Sequence, residues 1–351
     1  MENTVTHTTE ITPDGTAADY QRLRTTIGVY RRSRGLIRLA GLERGELVRF
    51  LMARDTEYTE PLTCMDSLVL NEDGTPLDLV TLFEMDNESW LAADSLAGAE
   101  LAGLAEAATS DLELSDITVT DVSDTHEIVA FEGPESWRVA ATLIDFDIAG
   151  LVLNAVTEVT LPGGEQALLA RTGSTGEYGY VIVAERAADA HATVMEHAKE
   201  HGGGSVGEFA LVRAQAEVRH PCLPSQAEGL AVREAGLEWL VGLTRTDGFR
   251  GGEALADAED PSYGLVAAVA ETDGLCRGDL VRTEQESVGH VQVVLPNADT
   301  GDTLALLALA RPFDVPGLVL IADGADEATV MLHTVSSPSV IPQSWTKGLG
   351  E

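Results

Sequence analysis

Residues 68–90 read LVLNEDGTPLDLVTLFEMDNESW, and this stretch decides the architecture. Two apolar runs, Leu68–Leu70 and Leu77–Phe83, flank Asn71-Glu-Asp-Gly74. An Asp-Gly pair marks a tight reversal, because glycine reaches the positive φ such a turn needs. The spacing predicts an antiparallel hairpin over 66–92. Its second strand carries one carboxylate, Asp78, among apolar neighbours. Burying such a group is costly unless it has a partner or a task.

Working outward, Gly35–Gly41 alternates as a strand, and Leu42, Leu47, Val48, Leu51 and Met52 fall at helical spacing. An alanine-rich helix follows over 96–108. The order then recurs. Strands are predicted at 117–119 and 128–131, and Gly133-Pro134-Glu135 opens a helix with proline near its first turn. Strands at 156–161 and 166–171, the glycine-rich turn 172–179, a strand at 180–184 and helices at 187–201 and 208–218 complete this second set. Past Gly264 come short strands at 265–270, 280–282, 289–294, 304–310 and 317–321, separated by Gly, Asp, Asn and Pro. The expected organisation is an α+β protein with a disordered leader at 1–16 and a first unit at 17–110. A related second unit at 111–222, a linking segment at 223–262 and a small antiparallel β-barrel at 263–351 follow.

The 351 residues carry 58 acidic and 22 basic side chains, a formal charge of -36. Lysine is confined to Lys199 and Lys347. So negative a surface solvates the protein and repels phosphate backbones and anionic lipid, which argues against nucleic-acid binding. No apolar run approaches the roughly 18 residues of a membrane span, and the N-terminal stretch has no apolar signal-peptide core, so a cytoplasmic location is expected. Three scattered cysteines, Cys64, Cys222 and Cys276, form neither a disulfide framework nor a CxxC site. His197 and His201 share one helix face at i, i+4, but the acidic residues around them mark a solvated face, and no metal is expected.

Five segments, in order, resemble the T-protein (aminomethyltransferase) family of the glycine cleavage system and its tetrahydrofolate-dependent demethylase relatives. They are Leu36–Gly41 with Phe50-Leu51, then Leu70–Gly74 with Asp78, and Phe131-Glu-Gly-Pro134. Arg171–Gly179 (RTGSTGEYG) and Ala235–Trp239 (AGLEW) with Asp247, Phe249, Gly251 and Glu253–Leu255 complete the set. Singly each is weak; together they span most of the chain. The resemblance implies three domains around a central cavity, with folate entering between them. It implies that Asp78 orients the reacting centre, where a carboxylate stabilises cationic charge in a low-dielectric site. Trp90, Asp94 and Trp239 match positions that line the ligand.

The chain also departs from the family. The glutamate that reads the pterin ring is matched by Val181, and an arginine opening the next helix is matched by Phe209. A valine accepts no hydrogen bond, and a buried ring donor left unpaired costs about 1–3 kcal/mol. These replacements set tetrahydrofolate in question and suggest a more apolar pocket. The expected function is one-carbon (methyl or aminomethyl) transfer between a small molecule and tetrahydrofolate, in a specialised rather than housekeeping role. Lipoyl carrier proteins are generally acidic and complement a surface at -36 poorly. The alternatives are a folate-independent enzyme on the same scaffold, in secondary metabolism, and a non-catalytic folate-binding protein. The substrate and the oligomeric state are not legible at this stage.

Overall fold

The chain opens with helix α1 (Thr16–Thr25) and strand β1 (Gly28–Arg32). In this computed structural model the described residues are 16–349, apart from 33, 243, 244, 246, 271, 273, 297–301 and 325–328. The leader expected over 1–16 lies, but for its last residue, outside them. Next come β2 (Gly35–Ala40), α2 (Arg44–Leu51), β3 (Thr63–Leu70), β4 (Pro76–Glu84), β5 (Glu88–Ala93), α3 (Gly98–Asp111) and β6 (Thr118–Asp121). Strands β2 to β6 form one antiparallel sheet in the order β3-β4-β5-β2-β6. The hairpin forms as its turn chemistry requires. Asn71 N donates to Thr75 O at 2.8 Å, Asp73 accepts from Thr75 N at 3.0 Å, and Gly74 sits at φ +80. A Cβ on Gly74 would lie 2.7 Å from Leu255 N, so the turn's backbone packs directly on the linking segment.

Side chains alternate across a strand, so β4 divides its residues between two faces. Val80 and Leu82 join Leu47, Leu51, Leu101 and Ala105 beneath α2 and α3. Phe83 points the other way, into a layer shared with the second sheet. That sheet is built from β7 (His126–Glu132), β8 (Val156–Thr160), β9 (Gln166–Ala170), β10 (Gly179–Glu185) and β11 (Gly204–Ser205), in the order β11-β1-β7-β10-β9-β8. Helices α4 (Ser136–Leu143), α5 (Ala190–Glu200) and α6 (Glu208–Glu217) accompany it.

Here the expected boundary needs correction. Residues 28–32 fall within the predicted first unit, yet β1 pairs antiparallel with β7, Val29 opposite Phe131, and parallel with β11. Its buried Val29 belongs to the second unit's core with Phe131 and Ile182. The chain therefore enters the second sheet, crosses to build the first, and returns. The two sheets meet face to face over Tyr30, Cys64, Phe83, Trp90, Ile128, Val181 and their neighbours.

The segment 223–262, which includes α7 (Gly252–Ala256), is a core element. Its Leu230, Leu237, Leu240 and Phe249 pack with Leu68, Leu70 and Leu79 of the first unit and with Leu265, Leu304 and Leu306 beyond. Those last residues lie in a closed barrel. Its strands are β12 (Tyr263–Ala270), β13 (Leu280–Arg282), β14 (Ser287–Pro296), β15 (Thr303–Ala310), β16 (Val319–Asp323) and β17 (Thr329–Val335), in the order β12-β15-β14-β13-β16-β17. The tail then returns to the second unit. Glu177 of the glycine-rich turn accepts from Gln343 N at 3.0 Å and from Ser344 N at 2.9 Å.

Candidate active site

Asp78 is fully buried, on the helix-covered face of β4 with Val80 and Leu82. Its carboxylate is saturated. Oδ1 accepts from Leu79 N at 2.9 Å and Ser95 Oγ at 2.8 Å, and Oδ2 from Ser95 N at 3.0 Å and Leu96 N at 2.8 Å. The Ser95 and Leu96 donors lie just before α3, where the helix dipole favours negative charge. Burial pushes the carboxyl's pKa above its ordinary value, and the bonds from Leu96 and Ser95 pull it back only in part. The group ties the turn after β5 to the sheet. It holds no lone pair ready for a ligand and faces away from the second unit, so its geometry is that of a structural carboxylate.

The opposite face of the same sheet carries an open cluster. Asp66 on β3 stands directly across from Thr81 on β4, whose Oγ1 donates to Asp66 Oδ1 at 2.6 Å. Arg32, the last residue of β1, reaches across from the second sheet. Its Nη2 donates to Thr81 Oγ1 at 2.8 Å, and Nε and Nη2 both lie 3.3 Å from Asp94 Oδ1. Asp66 Oδ1 is 4.0 Å from Nη2. Two carboxylates thus share one guanidinium. Burial alone would lower the Arg32 pKa, but Asp94 and then Asp66 outweigh it and hold it above the ordinary arginine value. The side chains of Asp66 and Asp94 keep 19% and 25% exposure, so the cluster is reachable while its cation is nearly buried. Among the described residues, Oδ2 of neither aspartate has a hydrogen-bond partner.

A second buried carboxylate borders it. Glu132, at the end of β7, accepts from Ser174 N and Thr175 N and from both their hydroxyls, and Tyr30 OH donates to it as well. Gln215 Nε2 donates to Ser174 Oγ at 3.0 Å. Burial, and next the Glu132 charge, push the Tyr30 phenol well above its usual pKa. This network fixes the glycine-rich turn. His220 lies in the loop after α6, and burial lowers its pKa below the ordinary histidine value.

The remaining expected site residues divide. Asp94 is in the cluster. Trp90 and Val181 share the apolar layer between the sheets, 6% and 1% exposed. The Trp90 indole donates to Glu88 at 2.8 Å and its ring meets His126 edge-on at 5.1 Å. Phe209 is half-buried on the first turn of α6. Trp239 does not line a cavity: it is 47% exposed in a short helical turn whose buried member is Leu240. Cys64 and Cys222 are buried, and burial pushes each thiol up to about 12, so neither is a poised nucleophile.

The GCVT N-terminal domain model matches residues 2–245, which is more than half of the chain. The chain belongs to the GCVT family. This GCVT-family protein is 26% identical over 315 residues to an aminomethyltransferase of Streptomyces coelicolor, covering 85% of this chain and 82% of that one. It is 27% identical over 295 residues to an aminomethyltransferase of Thermotoga neapolitana, covering 82% and 80%. Its fold matches the crystal structure of glycine cleavage system aminomethyltransferase T from Bartonella henselae, with a TM-score of 0.79 over 94% of this chain and 91% of that chain, at 20% identity. That likeness establishes the three-part fold with its closed barrel.

Tetrahydrofolate does not fit the residues at the expected pterin-reading positions of this GCVT-family chain. Val181 supplies no acceptor and is packed between Cys64, Trp90 and Ala130. The carboxylates that do face the junction of the units are Asp66 and Asp94. Of the cluster, Asp94 is legible in the sequence and Asp66, Arg32 and Thr81 are not. One signal was available: Asp66 is a lone carboxylate inside the strand TCMDSLVL, the same pattern that drew attention to Asp78.

Proposed function

We propose that this protein is an enzyme of one-carbon transfer, acting on a small amine whose methyl or aminomethyl group is the unit moved. One observation carries the reading: Asp66 and Asp94 share a single guanidinium and leave one negative charge uncompensated in a half-open site between the two sheets. Such a site favours a cation, because ion pairing strengthens where water is partly excluded. Asp94 and Asp66 would orient the cationic nitrogen and balance its charge, the task first expected of Asp78. Family membership supports the reaction class. The strongly acidic surface supports a specialised role over docking an acidic lipoyl carrier.

A second reading is favoured by Val181 and Phe209, which put apolar groups where pterin contacts are expected: chemistry on the same scaffold without folate. One experiment separates the two. Tetrahydrofolate and dimethylammonium chloride are titrated calorimetrically into wild type and Asp94→Asn. Binding of both, with the amine weakened in the variant, supports one-carbon transfer with folate as acceptor. Amine binding without any tetrahydrofolate heat supports the folate-independent reading. Failure of the amine to bind removes the cation site and both readings of it.

A further inference from the structure

The scarce positive charge of this chain is unevenly placed. Arg31-Arg-Ser-Arg34 puts three of its 22 basic residues within four positions, where β1 ends and the chain crosses to β2. The fold brings Arg186, which follows β10, to the same place. Arg31, Arg32, Arg34 and Arg186 line one cleft of about 90 Å³, and Glu127 is the one acid among its described walls. Part of the wall is apolar: Leu36 and Ile128, each 2% exposed, belong to the layer between the sheets. Two of the four charges are already met. Arg31 Nε donates to Glu127 Oε2 at 2.9 Å, and Arg32 donates to Asp94 and Thr81. The other two are not. Arg186 Nη2 donates to Ser123 O at 2.9 Å and its backbone N–H to Thr125 O at 2.8 Å, so neutral acceptors hold it in place. The guanidinium of Arg34 has no hydrogen bond among the described residues, and none of their carboxylates lies within 4.0 Å of it or of Arg186. The neighbouring Asp121 is engaged by Ser123, accepting from its N–H at 3.0 Å and its hydroxyl at 2.6 Å.

Like charges gathered round a small cleft repel, and the repulsion strengthens where an apolar wall excludes water. The net charge of -36 does not relieve it, because at physiological ionic strength charges beyond about 8 Å are largely screened. An anion in the cleft does. A guanidinium presents paired N–H donors whose spacing matches two oxygens of a carboxylate or a phosphate. The volume suits one such group rather than a whole cofactor, since small-molecule pockets run to roughly 300–1,000 Å³. We propose that this cleft is an oxyanion site, in which Arg34 and Arg186 bind one phosphate or carboxylate group of a small ligand. The site is distinct from the cation site proposed above. Arg32 borders both, but its donors are directed to Asp94 and Thr81, and the oxyanion assignment stands whether or not an amine binds.

The test titrates inorganic phosphate and, separately, acetate into the full chain by calorimetry at constant ionic strength. The proteins are wild type, Arg34→Gln, Arg186→Gln, the double variant, Arg34→Lys and, as a control, Arg233→Gln, an exposed arginine of the linking segment. Wild type should bind one phosphate per chain with a Kd on the order of 1 mM. Binding should be about tenfold weaker in each single Gln variant and lost in the double variant. Arg34→Lys, which keeps the charge but not the fork, should fall between wild type and Arg34→Gln, and Arg233→Gln should match wild type. Acetate bound as tightly as phosphate supports the site and assigns it a carboxylate; a clear preference for phosphate supports it and assigns a phosphate. Absence of saturable binding of either ion to wild type overturns the assignment. So does binding that survives the double variant. So does binding that Arg233→Gln weakens as much as Arg34→Gln, the result expected of diffuse charge alone. Should Arg186→Gln prove unstable, Arg34→Gln decides the matter, because that guanidinium has no partner to lose.

Discussion

Replacing Asp78 by Asn separates a structural carboxylate from a reacting one. The two oxygens of Asp78 receive backbone donors from Leu79, Ser95 and Leu96 and the hydroxyl of Ser95. An asparagine offers one oxygen and one NH2 group, so either rotamer turns a donor toward a donor. With nitrogen in the Oδ2 position, Leu96 N–H loses its acceptor while Ser95 N retains a longer contact to Oδ1, now 3.2 Å. With nitrogen in the Oδ1 position, Leu79 N–H is stranded instead. A buried donor left without a partner costs about 1–3 kcal/mol. Relief of a buried charge, whose cost shows in the raised pKa of Asp78, offsets part of this. The net expectation is a loss of about 2 kcal/mol, or about 8–16 °C in the transition that unfolds the first unit. Differential scanning calorimetry measures it, with amine binding followed on the folded variant. Binding per folded molecule should be unchanged. A variant that melts like wild type but no longer binds would refute the reasoning, because it would place Asp78 at the ligand.

Other perturbations have distinct signatures. Arg32→Met strands Asp66 and Asp94, and should cost about 2 kcal/mol by chemical denaturation, less than a fully buried pair because both acids keep some water; it should also tighten dimethylammonium binding, since a second charge is left uncompensated. Glu132→Gln leaves donors of Ser174 and Thr175 facing an amide, so a loss of about 2–4 kcal/mol and faster proteolysis within 172–179 are expected. His126, His191 and His220 all have pKa values lowered by burial from the ordinary 6.5, so below that value the unfolded chain binds more protons. Stability should therefore be level above it and fall as pH drops through it toward the folded values, as melting temperatures across that window would show. Of the 3 cysteines, Cys276 alone is exposed, so a thiol reagent should titrate one group quickly in the native protein and the others only on unfolding.

The parts of the fold that were legible are those written in local chemistry. The Asn71–Gly74 turn, the alternation in β4 and the punctuated strands of the barrel each carry their own signal. What was not legible is pairing at long range. Nothing in Gly28–Arg32 says that its partner is Phe131's strand rather than the adjacent Gly35–Ala40, because both are short apolar strands and the choice is made by the whole core. The last barrel strand, TVMLHTV, was missed because threonine and histidine dilute its alternation. The site shows the same division. A lone carboxylate in a strand demands a partner, and that rule held for Asp78; that the partner is a helix-leading turn rather than a substrate depends on strand parity, which the sequence leaves to the register. Trp239 had an aromatic's credentials for a pocket and stands at the surface, since its neighbours Leu237 and Leu240 fill the core instead.

The shortage of lysine then takes a different meaning. The acidic surface solvates the protein, and arginine supplies nearly all of its positive charge. In the folded chain several arginines are mortar between the units. Glu217 is held at once by Tyr20, by Arg24 at 2.7 Å and by Arg213 at 2.9 Å, and Arg213 also donates to Leu295 O of the barrel at 3.0 Å. Arg245 donates to Met52 O at 3.0 Å and to Arg49 O and Gly248 O at 2.6 Å each, fastening the linking segment to the first unit. Each of these contacts uses several donors of one planar group, which the single ammonium of lysine cannot direct in the same fork. Arg32 follows the same logic at the candidate site: one guanidinium spans Thr81, Asp94 and Asp66 from the opposite sheet. A lysine there would hold one carboxylate and let the other drift. The geometry that leaves one negative charge facing the junction of the units therefore depends on an arginine at that position, and on the wider arginine framework that keeps the two sheets in fixed register around it.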